Sequence, residues 1–296
     1  MVENNRESEM SNNFKCPRCN GNVKASGLAG SGKQRYTCKD CGFRTTTPLD
    51  KDAESVMVQK NLIITDTHAP FENKRAFAAV CEYSEFYKPH RIVHLGDVGD
   101  YQSVSHWLKN KRLTLEGLNI EDDLYHAAEI LRVIGNTSPD AEKIVLIGNH
   151  EKWVYDYIEE HPEIRKSIDL SLSYKLVGFI SKPFNELYKI GKLYLTHGLY
   201  TNLYHAAKTV HSLSASVMYG HTHDDQKHTE SFLDGEKSAQ AIGCLCDLNP
   251  VYLQNRPKRW VNGFATVDIL PNGQFFPDFI KIIDGRFCRM GKIYGN

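Results

Sequence analysis

A chain of 296 residues with 41% hydrophobic and 24% charged residues has the composition of an ordinary globular protein, long enough for about two domains or for one large domain and a small module. No apolar run approaches the ~20 residues of a membrane-spanning helix, and a formal net charge of zero says nothing about partners. The polar, acidic opening MVENNRESEMSNN lacks the apolar core of a signal peptide. It reads as a disordered leader over 1–13 and points to the cytoplasm, where thiols stay reduced and clustered cysteines suggest metal rather than disulfides.

Residues 14–47 hold the first four of eight cysteines. Cys16-Pro17-Arg18-Cys19 and Cys38-Lys39-Asp40-Cys41 enclose 18 residues, inside the zinc-ribbon window of about 15–20. Four thiolates hold Zn²⁺ tetrahedrally, and so short a ribbon has no adequate core without it, so one structural zinc is expected. The stretch Gln34-Arg35-Tyr36-Thr37-Cys38-Lys39-Asp40-Cys41-Gly42 resembles zinc ribbons of transposases and other DNA-processing proteins. The segment carries seven Lys or Arg against the single acid Asp40. Its surplus of six falls to about four once four thiolates bind Zn²⁺. Two readings stand: Arg35 and its neighbours neutralise nucleic-acid phosphates while Tyr36 or Phe43 stacks on an unpaired base, or the ribbon is structural or docks protein. Cys81, Cys244, Cys246 and Cys288 lack a paired pattern and read as buried.

A polar linker is expected over 48–60, followed by one domain over 61–296. Asn61–Thr65 reads as a buried strand and 73–87 as an amphipathic helix; Arg91–Leu95 and 121–135 repeat the pair. Lys143–Ile147, helical periodicity over about 152–172, Lys192–Thr196, a helix near 201–212 and Ser216–Tyr219 continue it, and the stretch from about 226 to 283 is strand-rich. The alternation predicts a layered α/β fold, a β-sandwich flanked by helices.

Five of these strands run into metal-ligand residues as they end. The first ends in Asp66-Thr67-His68, the second in Gly96-Asp97-Val98-Gly99-Asp100 and the third in Gly148-Asn149-His150-Glu151. The fourth ends in His197-Gly198 and the fifth in Gly220-His221-Thr222-His223. Sites in α/β folds assemble beyond the carboxyl ends of strands, so these groups should converge. Carboxylate, imidazole and the Asn149 amide oxygen suit Mn, Fe and Zn, and two such cations about 3.5–4 Å apart can clamp a phosphoryl oxygen and activate a water. One carboxylate must bridge them, and Asp97 is the natural choice. Glycines before Asp97, Asn149 and His221 are expected to let the chain turn sharply. Asp100 either hydrogen-bonds a ligand histidine or caps a loop, and Glu151 reads as a helix-start residue.

The order DxH, GDxxD, GNHE, HG, GHTH over residues 61 to about 270 resembles the calcineurin-like metallophosphoesterases. The resemblance implies that Asp66, His68, Asp97 and His223 hold one metal, that Asp97, Asn149, His197 and His221 hold the other, and that His150 contacts the phosphate and protonates the leaving oxygen. Two divalent metals follow, Mn foremost, with Fe, Zn or Ni accepting the same ligands. The phosphoprotein phosphatases of that superfamily continue GDxxD with Arg-Gly, whereas here Asp100 is followed by Tyr101-Gln102. The sequence looks more like the phosphodiesterase and nuclease branches, and like the enzymes of bacteriophages and their hosts, which implies the cytoplasm of a bacterial or phage-infected cell.

Substrate choice falls to loops. The connection from Val98 to Ile120 carries His106, Trp107, Lys109, Lys111 and Arg112; it either overhangs the metals or is a surface helix with Trp107 tucked into the core. Tyr200, Tyr204, His205 and Lys208 are expected at helical spacing to line the site, with the core as the alternative for Tyr204, and Gln254-Asn255-Arg256-Pro257-Lys258-Arg259-Trp260 is a groove rim or only a loop. The expected activity is hydrolysis of phosphodiesters, with nucleic acid as partner and no membrane. The alternatives are a phosphomonoesterase on phosphoprotein or nucleotide, and a non-catalytic zinc-ribbon adaptor for nucleic acid.

Overall fold

The computed structural model describes residues 14–16, 18–19, 21–47, 49–50, 58–250 and 258–295. The leader over 1–13, most of the linker, and residues 254–257 of the basic–aromatic patch lie outside them. The chain divides into two compact units, Met1–Met57 and Val58–Asn296.

In the small unit, β1 (Phe14–Lys15), β2 (Val23–Leu28), β3 (Gln34–Cys38), β4 (Arg44–Thr45) and β5 (Leu49–Asp50) form two antiparallel sheets, β2–β3–β4 and β1–β5. Side chains alternate along β3, so Tyr36 and Cys38 share a face. They join Cys16, Val23, Phe14 and Phe43 in one small apolar cluster.

In the large unit, the first strand starts at Gln59, within the expected linker. β6 (Gln59–Ile64), β7 (Arg91–His94), β8 (Glu142–Leu146) and β9 (Ile180–Lys182) run parallel, each paired to the next. Parallel neighbours need crossovers. These are α1 (Lys74–Tyr87), α2 (Ile120–Asn136), and then α3 (Asn149–Glu160) with α4 (Leu170–Leu176). The helical periodicity expected over about 152–172 falls in two helices, because Pro162 removes a donor just after His161. The second sheet contains β10 (Tyr188–Ile190), β11 (Leu193–Thr196), β12 (Val217–Tyr219), β13 (Lys227–Phe232) and β14 (Gly235–Ala241), with α5 (His205–Leu213) on its outer face. β15 (Asn262–Ile269) and β16 (Phe275–Ile282) extend the first sheet beyond β6.

Period-two alternation builds the layers. On β6, Ile63 points between the sheets and meets Val93, Leu95, Leu195, Met218 and Ile242. Leu62 and Ile64 point the other way, into a cluster with Val80, Leu131 and Tyr174 from the helices. Ala206 and Val210 of α5 cover Val217, Tyr219 and Ala239 on the far sheet. The result is the expected α/β fold, two sheets face to face with helices outside both. Among the described residues no helix is long and apolar enough to cross a membrane.

Candidate metal centre

β6, β7, β8, β11 and β12 deliver their carboxyl-terminal loops to one place. The backbone there is unusual. Asp66, His68, Asp97, His221 and His223 all have positive φ, five of the eleven non-glycine residues that do so among those described. Each such residue carries strain on the order of 1 kcal/mol that the surrounding structure must hold, a pattern that concentrates at functional sites. The glycines serve two purposes rather than the one expected. Gly96, at φ +110°, makes a turn that L-residues resist and has no room for a Cβ against the Gly148 backbone, whereas Gly148 and Gly220 are small for lack of space alone. A Cβ on Gly148 would lie 2.2 Å from Asp97 Oδ1, and one on Gly220 2.2 Å from Asp66 Oδ2.

The hydrogen bonds show where lone pairs point. His68 Nδ1–H donates to Asp100 Oδ1 at 2.9 Å, leaving Nε2 bare. That Nε2 lies 3.1 Å from His223 Nε2 and 3.7 Å from Asp66 Oδ1 and Asp97 Oδ2. His223 Nε2 is itself 3.1 Å from Asp66 Oδ1. On the other side, His197 Nδ1–H donates to the Leu95 carbonyl at 3.1 Å. Its Nε2 faces Asn149 Oδ1 at 3.0 Å, His221 Nδ1 at 3.2 Å and Asp97 Oδ2 at 3.3 Å. Two groups of acceptors therefore converge on two points, with Asp97 Oδ2 in reach of both. Mutually facing lone pairs repel unless a cation sits between them, and this oxygen–imidazole donor set fits divalent transition metals.

Electrostatics agrees. Burial pushes the Asp66 and Asp97 carboxyls up. The imidazoles of His223 and His68 around Asp66, and of His197 and His150 around Asp97, outweigh it and hold both well below the usual range. Burial pulls His68 and His197 down, but the Asp100 and Asp66 bonds raise the first well above its usual value and Asp97 carries the second to about 9. The buried carboxylates thus demand positive charge, which a cation can supply in place of protons. Burial and His197 bring His221 down to about 4, so its imidazole is uncharged at neutral pH.

His150 stands at the rim. Its Nδ1–H donates to the Asp100 carbonyl at 2.7 Å and its Nε2 is 3.9 Å from Asp97 Oδ2. Burial makes its proton easy to surrender, against the pull of Asp97. Asp100 therefore touches both histidines, bonding His68 through its side chain and His150 through its backbone. Trp107 is 71% exposed, outside the core, and Lys109 pairs with Glu160 at 3.4 Å on the surface. Tyr204 is exposed, while His205 is buried between Tyr219 Oη and Asp224.

Several neighbours escaped the sequence reading. Glu151 does start α3, but its carboxylate also accepts from the backbone N–H groups of Gly148 (2.9 Å), Asp97 (2.8 Å) and Val98 (2.7 Å) and from Tyr174 Oη (3.1 Å). It ties the second and third motif loops together, and burial with the nearby Asp97 charge raises it to about 7. Trp153 lies tilted against His150 with ring centroids 3.8 Å apart, and Trp260 meets His223 edge-on at 4.3 Å. Cys246 is buried with Sγ 3.8 Å from His223 Nδ1. Spacing could have found Trp153, three residues after His150 on one helix face. The basic–aromatic patch marks Trp260 as a candidate for the groove rim, whereas nothing local marks Cys246.

In the small unit, the Cys16, Cys19, Cys38 and Cys41 sulfurs lie within 4.8 Å of one another. The N–H groups of Arg18 and Asp40 each reach a sulfur at 3.4 Å, that of Cys16 and Cys38 respectively. Backbone N–H groups of Cys41 and Asp40 draw the Cys38 thiol down to about 7, toward the thiolate that zinc requires. The cluster fits a small zinc site. Tyr36 is half-buried, edge-on to Phe14 with centroids 5.3 Å apart, so much of its ring serves the ribbon's interior.

No family model matches the sequence. The chain is 26% identical over 256 residues to the Gene 54 protein of Mycobacterium phage L5, covering 80% of this chain and 99% of that one. Among solved structures, vacuolar protein sorting 29 from Cryptosporidium parvum aligns at a TM-score of 0.41 and 14% identity, over 80% of this chain and 94% of that one. YfcE, a phosphoesterase from E. coli, aligns at 0.36 and 16%, over 76% and 100%. What the chain does is read from its own side chains.

Proposed function

We propose that the large unit is a two-metal phosphodiesterase acting on nucleic acid, with Mn²⁺ as the foremost metal and the zinc ribbon as an accessory contact to the strand. The observation that carries it is the double convergence of lone pairs on either side of Asp97. Asp66, His68 and His223 would hold one cation and Asn149, His197 and His221 the other, with Asp97 Oδ2 in reach of both groups. When bound, such a pair stabilises charge on the phosphoryl group and lowers the pKa of water. Asp100 and the Leu95 carbonyl fix the tautomers of His68 and His197, so each presents a bare nitrogen. With Nδ1–H committed to the Asp100 carbonyl, the proton His150 delivers to the leaving oxygen is the one on Nε2.

Preference for a diester is supported by Tyr101. It follows Asp100, is fully buried and bonds Tyr174 Oη at 2.7 Å, so this position offers no cation for the second charge of a monoester. The test is hydrolysis of bis(p-nitrophenyl) phosphate and p-nitrophenyl phosphate with Mn²⁺. The diester should turn over faster, and His150→Ala should lower its turnover roughly 10²–10⁴-fold with bound metal unchanged. Undiminished turnover in that variant would remove His150 from the reaction, and an equal or greater rate on the monoester would remove the diester assignment.

A further inference from the structure

Beside His150, between the segment 103–115 and α3, lies a cleft of about 190 Å³. It shares a wall with the reaction centre: Trp153 lines the cleft, and its ring lies against His150 at 33° between planes. Tyr157 and His161 follow at four-residue steps, so the three rings share one side of α3 and its end, with the last two 4.4 Å apart. Opposite them, His106 stands edge-on to Trp153 at 5.8 Å, with the exposed Trp107 ring 4.4 Å from His106. The remaining lining mixes donors and acceptors, among them Ser103, Lys109 and Asp156.

Ring faces with hydrogen-bonding groups at their edges match a planar heterocycle. The lining carboxylates are already matched, Glu160 by Lys109 and Asp156 by Lys152, so a phosphate would have to displace one of them. We infer that the cleft receives one unpaired nucleobase on the leaving-group side of the scissile phosphate, where His150 stands. The substrate is then a single-stranded segment with that base turned out of its stack. Duplex is disfavoured by the energy of unpairing. This rests on the phosphodiesterase reading and adds to it the class of strand.

The test uses the full chain with Mn²⁺ and three substrates: a single-stranded oligonucleotide containing 2-aminopurine, the same strand with an abasic spacer at that position, and methyl p-nitrophenyl phosphate. Wild-type protein should show a KM for the abasic strand about 5- to 150-fold above that for the intact one, the span one stacked base supplies. Tyr157→Ala should raise KM on the intact strand over the same span, with kcat kept and methyl p-nitrophenyl phosphate cleaved as by wild type. Tyr157→Phe should restore the wild-type KM. Equal KM for intact and abasic strands in wild type, or a uniform loss on all three substrates in Tyr157→Ala, overturns the inference. If methyl p-nitrophenyl phosphate is not hydrolysed at all, the phosphodiesterase reading fails instead. Quenching of 2-aminopurine on binding, present in wild type and lost in Tyr157→Ala, then decides the cleft separately.

Discussion

The small unit gathers Cys16, Cys19, Cys38 and Cys41 beside a handful of apolar side chains. The large unit sets its carboxylates and imidazoles on loops leaving five strands whose two faces are both buried. In the first, the donors are a large share of everything the fold buries. In the second, the donors crown a sandwich that has its own core. The difference teaches what a metal does in each place. It would be a folding partner for the ribbon, and an occupant that the body folds without.

Removing zinc should therefore have the largest effect. Structural zinc contributes about 10–16 kcal/mol of apparent binding free energy at pH 7 in small ribbons, far more than the cluster around Val23 and Tyr36 can replace. Cys38→Ser should abolish stoichiometric zinc in the ribbon and open residues 14–50 to limited proteolysis, with the thermal transition of the body unmoved. A ribbon that stays protease-resistant without zinc would break the comparison. The converse change is Leu195→Ala, which deletes a fully buried side chain between the sheets. It should cost about 2–5 kcal/mol in urea unfolding of the body and leave ribbon zinc at one per chain.

Within the body, Glu151 sharpens the point. Its two oxygens face three backbone N–H groups from two loops and the Tyr174 hydroxyl. An amide offers only one acceptor oxygen there and turns N–H against N–H. Glu151→Gln should weaken Mn²⁺ affinity of the body by about 10–100-fold, the usual effect of losing a group that orients ligands, as measured by metal titration of the apo-protein. Unchanged affinity would show that the loops hold their geometry without it.

Much of this was legible because strand, glycine and ligand are neighbours in sequence. A buried run followed by Asp-x-His or Gly-His-x-His states its purpose within a few residues, and the period-two pattern fixes which sheet face it serves. Contacts across sequence were not legible. Glu151 reads as a helix start because that is its local role, and its bonds to Asp97 and Val98 exist only once β7 and β8 lie side by side. Gly148 and Gly220 likewise read as turn residues, whereas the reason for their size is a carboxylate 2.2 Å from the missing Cβ. Tyr36 was legible in principle. It alternates with Cys38 on β3, so the face that carries the ligand also carries the ring.

That alternation supplies the smallest effect and the sharpest test of how the ribbon is used. Arg35 and Thr37 lie on the face of β3 opposite Tyr36 and Cys38, so an Arg35 contact with a strand would be to phosphate and need not disturb the zinc. A phosphate contact is sequence-independent and appears as released counterions. Arg35→Ala should then weaken binding of single-stranded oligonucleotides of differing sequence to a similar degree and reduce the slope of log K against log salt by about one. Turnover of bis(p-nitrophenyl) phosphate, which is too small to span a ribbon contact, should not change. If the salt slope stays put, Arg35 touches no phosphate. Repeating the titration on Lys24→Ala and Arg44→Ala would then show whether any basic residue of the ribbon does, or whether its role is structural.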